Sequence, residues 1–160
     1  MKARYVRPDD EDAVVELARM QVEETLPHLN FNEIRARASF RRAISSGVSV
    51  IFVAETAEGE VIGHIIAHVW PYMGADGFFV SQEMLYVRPD KRGSRAAAEL
   101  FDLYSKWADS IEANEVFAGI ANGHNPERTE KFMKKFGFER VGYSLRRIKR
   151  TNDNASVVPE

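Results

Sequence analysis

Two small groups of residues in this sequence have types and spacings that could do chemistry. The first is Arg92-Gly93-Ser94-Arg95, two guanidinium groups and a glycine between a strand-like run and an amphipathic one. The first N–H groups of a helix have no partner inside it, so a basic turn at such a start suits a small anion such as phosphate. An ordinary basic strand-to-helix turn would carry the same residues, and one glycine is far less specific than a full phosphate-loop fingerprint. The second group is His64 and His68, four residues apart on one face of a predicted strand. Histidine titrates near neutral pH, which suits proton transfer. At roughly 3.3 Å per residue the two rings are about 13 Å apart, too far to chelate one metal. No metal site is expected.

These groups sit in a chain of 160 residues with a formal charge of −2 and no cysteine. That length fits one domain with a real core, read here as 1–150 with a flexible tail at 151–160. Without cysteine there are no disulfides, thiol nucleophiles or thiolate metal sites. The near-neutral balance argues against a nucleic-acid binder, and Arg35, Arg37, Arg41 and Arg42, interleaved with Glu33 and Ser39, read as a solvated helix face. No apolar run reaches the roughly 18 to 20 residues of a membrane span, and the N-terminus lacks a signal-peptide core. A cytoplasmic location is expected.

Several elements must position the chemistry. Ala3–Val6 reads as a strand, followed by a helix through Val14, Leu17, Ala18 and Val22, capped by Asp9 or Asp10 and broken at Leu26-Pro27. Asn30 with Glu33 resembles a capping box for a second helix through Ile34, Ala38 and Ile44, ended by Gly47. Val48–Ala54 and Val61–Val69 are β-branched runs joined by Ala57-Glu58-Gly59-Glu60. A loop from Trp70 to Gly77 carries aromatics that could line a substrate mouth or cover the core edge. Phe78–Val87 reads as the strand leading into the basic turn. The next helix has an apolar stripe of Leu100, Leu103, Tyr104, Trp107 and Ile111. Glu115–Ala121 reads as a strand, Asn125–Lys135 as a helix capped by Gly137, and Phe138–Lys149 as a final hairpin or long strand.

This order, with two motifs, resembles the GNAT superfamily of acetyl-CoA dependent N-acetyltransferases over about residues 2 to 150. Leu85-Tyr86-Val87-Arg88-Pro89-Asp90-Lys91-Arg92-Gly93-Ser94-Arg95-Ala96-Ala97 is similar to the family's pyrophosphate motif. Asn125-Pro126-Glu127 through Phe132-Met133-Lys134-Lys135-Phe136-Gly137-Phe138 is similar to its late helix ending in Gly-Phe. The resemblance implies an α/β (α+β) fold with a mixed, mostly antiparallel sheet of six to seven strands, splayed centrally, and about four helices. It implies that Leu85, Tyr86 and Val87 pair with the pantetheine arm of coenzyme A. Arg92, Gly93, Ser94, Arg95, Ala96 and Ala97 would cradle its phosphates, and Asn125 and Phe132 would complete the cofactor site. Arg95 stands where the family has glycine, so it either points its side chain aside or, as expected here, lays its guanidinium along the phosphates. The turn is also similar to turns in phage-encoded members of the family.

Acetyl transfer to an amine needs a neutral amine, a stabilised oxyanion and a tolerable thiolate. A backbone N–H of the splayed fourth strand can serve the oxyanion. Glu83 is the leading candidate base, because alternation is expected to put its side chain on the face of Leu85 and Val87. His68 is the second candidate. The tyrosine acid usual in the family is replaced by Met133, leaving Tyr86 and Tyr143 as phenols to consider. The expected substrate is a primary amine of a small molecule or peptide, with a homodimer as a further association. The competing reading is a non-catalytic coenzyme A binding or protein-interaction module on the same fold.

Overall fold

The computed structural model describes residues 1–119 and 125–147. The ends of the strands expected at 115–121 and 138–149, and the 151–160 tail, lie outside the described residues. In chain order the elements are β1 (Lys2–Tyr5), α1 (Glu11–Thr25), α2 (Glu33–Ser46), β2 (Ser49–Glu55), β3 (Val61–Pro71), β4 (Phe78–Val87), α3 (Ala96–Ser110), β5 (Glu115–Phe117) and α4 (Pro126–Lys134). Short 3₁₀ turns at Pro8–Asp10 and Pro89–Lys91 precede α1 and α3.

Among the described residues the sheet has five strands in the order β1-β2-β3-β4-β5, antiparallel except for the parallel β4–β5 pair. This corrects the expected six to seven strands. Residues 138–147 form no ladder. Phe138 is held against Phe101, centroids 5.1 Å apart, but Val141, Tyr143 and Leu145 are exposed. A strand needs a partner edge, and β5 is only three residues long before Ala118 and Gly119 leave the sheet.

The core lies on both faces of the sheet. On one face α3 buries Leu100, Phe101, Tyr104 and Ala108 against Phe52, Ile65, Val80 and Val87. The stripe read from the sequence is this contact, and Leu103, Trp107 and Ile111 pack at its margin. On the other face Val14 of α1 and Phe40 of α2 meet Ile51 and Val53. Phe40, not the expected Ile34, anchors α2, since Ile34 is 83 % exposed. The α2 cap is likewise Asn32 rather than Asn30, its side chain accepting from the Arg35 amide at 2.9 Å. Asp10 stands at the start of α1 but makes no side-chain cap there. Its carboxylate accepts from Arg4 and from the Arg7 amide, each at 2.7 Å.

Candidate active site

The fourth strand is irregular where the chemistry was sought. Ile66 pairs with Met84 and Ala67 with Gln82, so Glu83 is an extra residue in β4, a β-bulge. The bulge changes which face Glu83 serves. Leu85, Val87 and Val80 all pack into the α3 cluster, whereas the Glu83 carboxylate reaches His68 Nε2 on the α1 and α2 face. The expectation that Glu83 shares a face with Leu85 and Val87 is therefore overturned, because strict alternation fails across a bulge. In exchange, the two candidate bases meet. Ser49 Oγ lies 2.8 Å from His68 Nδ1, so the imidazole is held at both nitrogens. With Nε2–H donating to Glu83, Nδ1 accepts from the Ser49 hydroxyl. Trp70, its ring 6.0 Å from that of His68, donates Nε1–H to Ser81 Oγ at 2.9 Å. Glu83 remains more than half exposed.

Beside the bulge the sheet opens. The parallel β4–β5 ladder pairs Phe79, Val80 and Ser81 with Glu115, Val116 and Phe117, and then stops. Gln82–Val87 keeps β3 on one side and, among the described residues, has no strand on the other. Tyr104 marks the point of separation: its buried hydroxyl donates to the Phe117 carbonyl at 2.9 Å. Burial pushes this phenol well above the usual tyrosine range, with the Gln82 backbone pulling weakly the other way. The Gln82 side-chain Oε1 is buried there without a partner.

The basic turn behind β4 divides its two arginines. Arg92 Nε donates to the Val87 carbonyl at 3.0 Å, and its Nη atoms donate to both Glu24 oxygens at 2.7 and 2.6 Å. The Tyr86 hydroxyl donates to the same Glu24 carboxylate at 3.0 Å, under the Arg92 guanidinium. Burial and that carboxylate push the Tyr86 phenol up to about 12. Arg95 is instead largely exposed and pairs with Glu99 along α3 at 2.8 Å. Gly93 has φ +84, a conformation that strains any side chain, and nothing stands within 4 Å of where its Cβ would be. The helix start at Ala96 carries no side-chain cap from Arg95, while Ser94 Oγ takes the Ala96 amide at 3.3 Å.

The sequence of the acetyltransferase (GNAT) family matches residues 12–138. The chain belongs to the GNAT family of acetyltransferases. Solved structures share the fold. A transcriptional regulator from Bacillus halodurans C-125 superposes with a TM-score of 0.76 at 14 % identity, over 92 % of this chain and 99 % of its own. AAC(6')-Iy, in complex with the bisubstrate analog CoA-S-monomethyl-acetylneamine, gives 0.74 at 18 % identity over 93 % and 97 %. The aminoglycoside 6'-N-acetyltransferase AAC(6')-IG from Acinetobacter haemolyticus gives 0.71 at 14 % identity over 95 % and 100 %. No curated protein sequence matches.

In this GNAT domain the residues expected at the site are not all together. Leu85, Tyr86, Val87 and the turn 92–97 form one contiguous strip along the open edge and helix start. Phe132 packs on Phe101, centroids 5.5 Å apart, and Met133 is buried in the same cluster, so both serve the core. Asn125 starts α4 in a left-handed conformation and caps nothing with its side chain. Tyr86 points to α1 and Tyr143 is exposed beyond α4, so neither phenol joins the His68 and Glu83 pair. Two clefts open elsewhere: one of about 320 Å³ beside Glu55 and Gly59, the other of about 370 Å³ between α3, β5 and Phe138. Neither includes His68 or Glu83, and the chemistry outweighs their size. Among the described residues no three His, Asp or Glu gather as a metal site would require, and no helix is long and apolar enough to cross a membrane. Sequence reasoning missed Ser49, Glu24 and Tyr104 as site residues. Only Tyr104 left a signal, as a polar-tipped residue in an otherwise apolar stripe.

Proposed function

We propose that this GNAT domain transfers an acetyl group from acetyl-CoA to a primary amine of a small molecule or peptide. The observation that carries the proposal is the Ser49, His68 and Glu83 chain at the β4 bulge, beside a strand edge that no other described strand pairs with from Gln82 onward. The residues fit the cofactor. An extended chain with amide groups could pair along the open edge at Leu85 and Val87, and the start of α3, where Arg95 makes no side-chain cap and Ser94 takes only the Ala96 amide, presents its other amides to an anion behind Gly93. Coenzyme A supplies the acetyl group as a thioester.

An amine must lose a proton before it can attack. The Glu83 carboxylate takes that proton, and His68, fixed by Ser49, holds Glu83 in place through its Nε2–H. Trp70 adds an aromatic wall beside His68 that suits a cation. The aminoglycoside acetyltransferases of similar fold favour a small-molecule amine among the options. The test is incubation with acetyl-CoA and a panel of aminoglycosides, polyamines and peptides, read by mass spectrometry. Acetylation of any amine, lost in Glu83→Gln, is the expected result. Coenzyme A binding without turnover across the panel would leave a binding module instead.

A further inference from the structure

The side chain expected to contact phosphate is held somewhere else. Arg92 is held at three nitrogens, by the Val87 carbonyl and both oxygens of Glu24, and its charge is already matched by that carboxylate. A phosphate brought up to this guanidinium would meet Glu24 as a like charge. The turn is also fastened from the opposite side, where Arg88 pairs with Asp90 at 2.7 Å and with Glu60 of the β2–β3 hairpin. Gly93 follows both clamps in the chain, and its positive φ sets the direction in which the following amides point.

Taking the cofactor reading above as its basis, we propose that Glu24 is a positioning residue for the cofactor turn. It holds Arg92 as a strut beneath the turn, which fixes the Val87 carbonyl and the Gly93–Ala97 backbone for a pyrophosphate that Arg92 itself does not touch. Three features of the network support this assignment. The donor to Val87 is Nε, a group that lysine lacks. The Glu24 contact is bidentate, so it fixes orientation as well as charge. The Tyr86 hydroxyl shares the same carboxylate, tying β4 to α1 at the residue between Leu85 and Val87.

Calorimetry of coenzyme A binding to the full chain decides it, using wild type, Glu24→Gln, Arg92→Gln, Arg92→Lys and the Glu24→Gln, Arg92→Gln double variant. Each single variant is expected to bind about tenfold more weakly, and the double variant no more weakly than the worse single, because the two residues act as one unit. Arg92→Lys should be as weak as Arg92→Gln. The salt dependence of affinity should not change, since no phosphate contact is lost. The strut is overturned if Arg92→Lys keeps full affinity, if Glu24→Gln binds as tightly as wild type or tighter, or if Arg92→Gln flattens the salt dependence. Failure of wild type itself to bind coenzyme A would overturn the cofactor reading and this inference together, and is distinguishable for that reason. Glu24→Gln changes one atom of the side chain and carries the test if an Arg92 variant does not fold.

Discussion

The Tyr104 hydroxyl donates to the Phe117 carbonyl at 2.9 Å, at the last rung of the β4–β5 ladder. A side chain from α3 thus takes an acceptor that a neighbouring strand would otherwise use, and the two strands part there. Tyr104→Phe removes that hydrogen bond, at an expected cost of about 0.5 to 1.5 kcal/mol in urea unfolding. If the hydroxyl also keeps the strands apart, coenzyme A affinity should fall in the same variant, measured by calorimetry.

For the Glu83 base, Glu83→Gln should lower turnover roughly 10²- to 10⁴-fold with coenzyme A affinity preserved. His68→Ala should do the same. The double variant should be no slower than the slower single, because residues acting as a unit are not additive. A fully active Glu83→Gln enzyme in a steady-state assay would move the base to His68.

Arg95 offers a contrast with Arg92. Its pair with Glu99 is exposed, so Arg95→Ala should change folding stability by less than about 0.5 kcal/mol. If the side chain swings onto the phosphates, the same variant should weaken coenzyme A binding by about 1.5 to 3 kcal/mol, the scale of a charged hydrogen bond. Thermal melting and calorimetry separate the two effects.

Met133 stands at the position usually held by a tyrosine acid, but it is buried against the α3 cluster. Met133→Tyr should therefore cost about 1 to 3 kcal/mol of stability by overpacking, without a gain in turnover. Urea unfolding together with a rate measurement checks both halves.

His64 gives a pH signature. It is wholly buried beside Gln21 and Tyr86, its Nδ1 lacks a partner, and burial lowers its pKa to about 4. The unfolded chain binds that proton near pH 6.5, before the folded chain does. Stability should accordingly fall as pH drops from about 6.5 to about 4, by up to roughly 3 kcal/mol. A His64→Phe variant that still folds should lose this slope in pH-dependent unfolding.

Element order and the faces of α1 and α3 were legible because they depend on local rules, whereas the face read for α2 through Ile34, Ala38 and Ile44 is exposed. The α3 stripe and the hairpin at Ala57–Glu60 follow from period and turn chemistry alone. The site was legible only in its residue types. Glu83 and His68 could be named as candidates, but their meeting depends on a bulge, and nothing in the residues from Ser81 to Met84 signals one. The partner of Arg92 was hidden for a similar reason. That partner, Glu24, is 68 positions away on α1, and a long-range ion pair leaves no trace in the spacing. The strand expected at the C-terminal end had the right alternation, but pairing depends on an available edge that the sequence does not display.

Val80 and Val87 both pack into the α3 core, yet they are an odd number of residues apart on one strand. Plain alternation would send them to opposite faces, so both can be buried together only if one residue between them is taken out of phase. That residue is Glu83. Deleting Glu83 would therefore remove the carboxylate and restore plain alternation, leaving Val80 and Val87 an even number of residues apart and both on the α3 face. The proposed proton acceptor thus occupies the one residue of this strand that core packing does not require, so its position is free to serve the site.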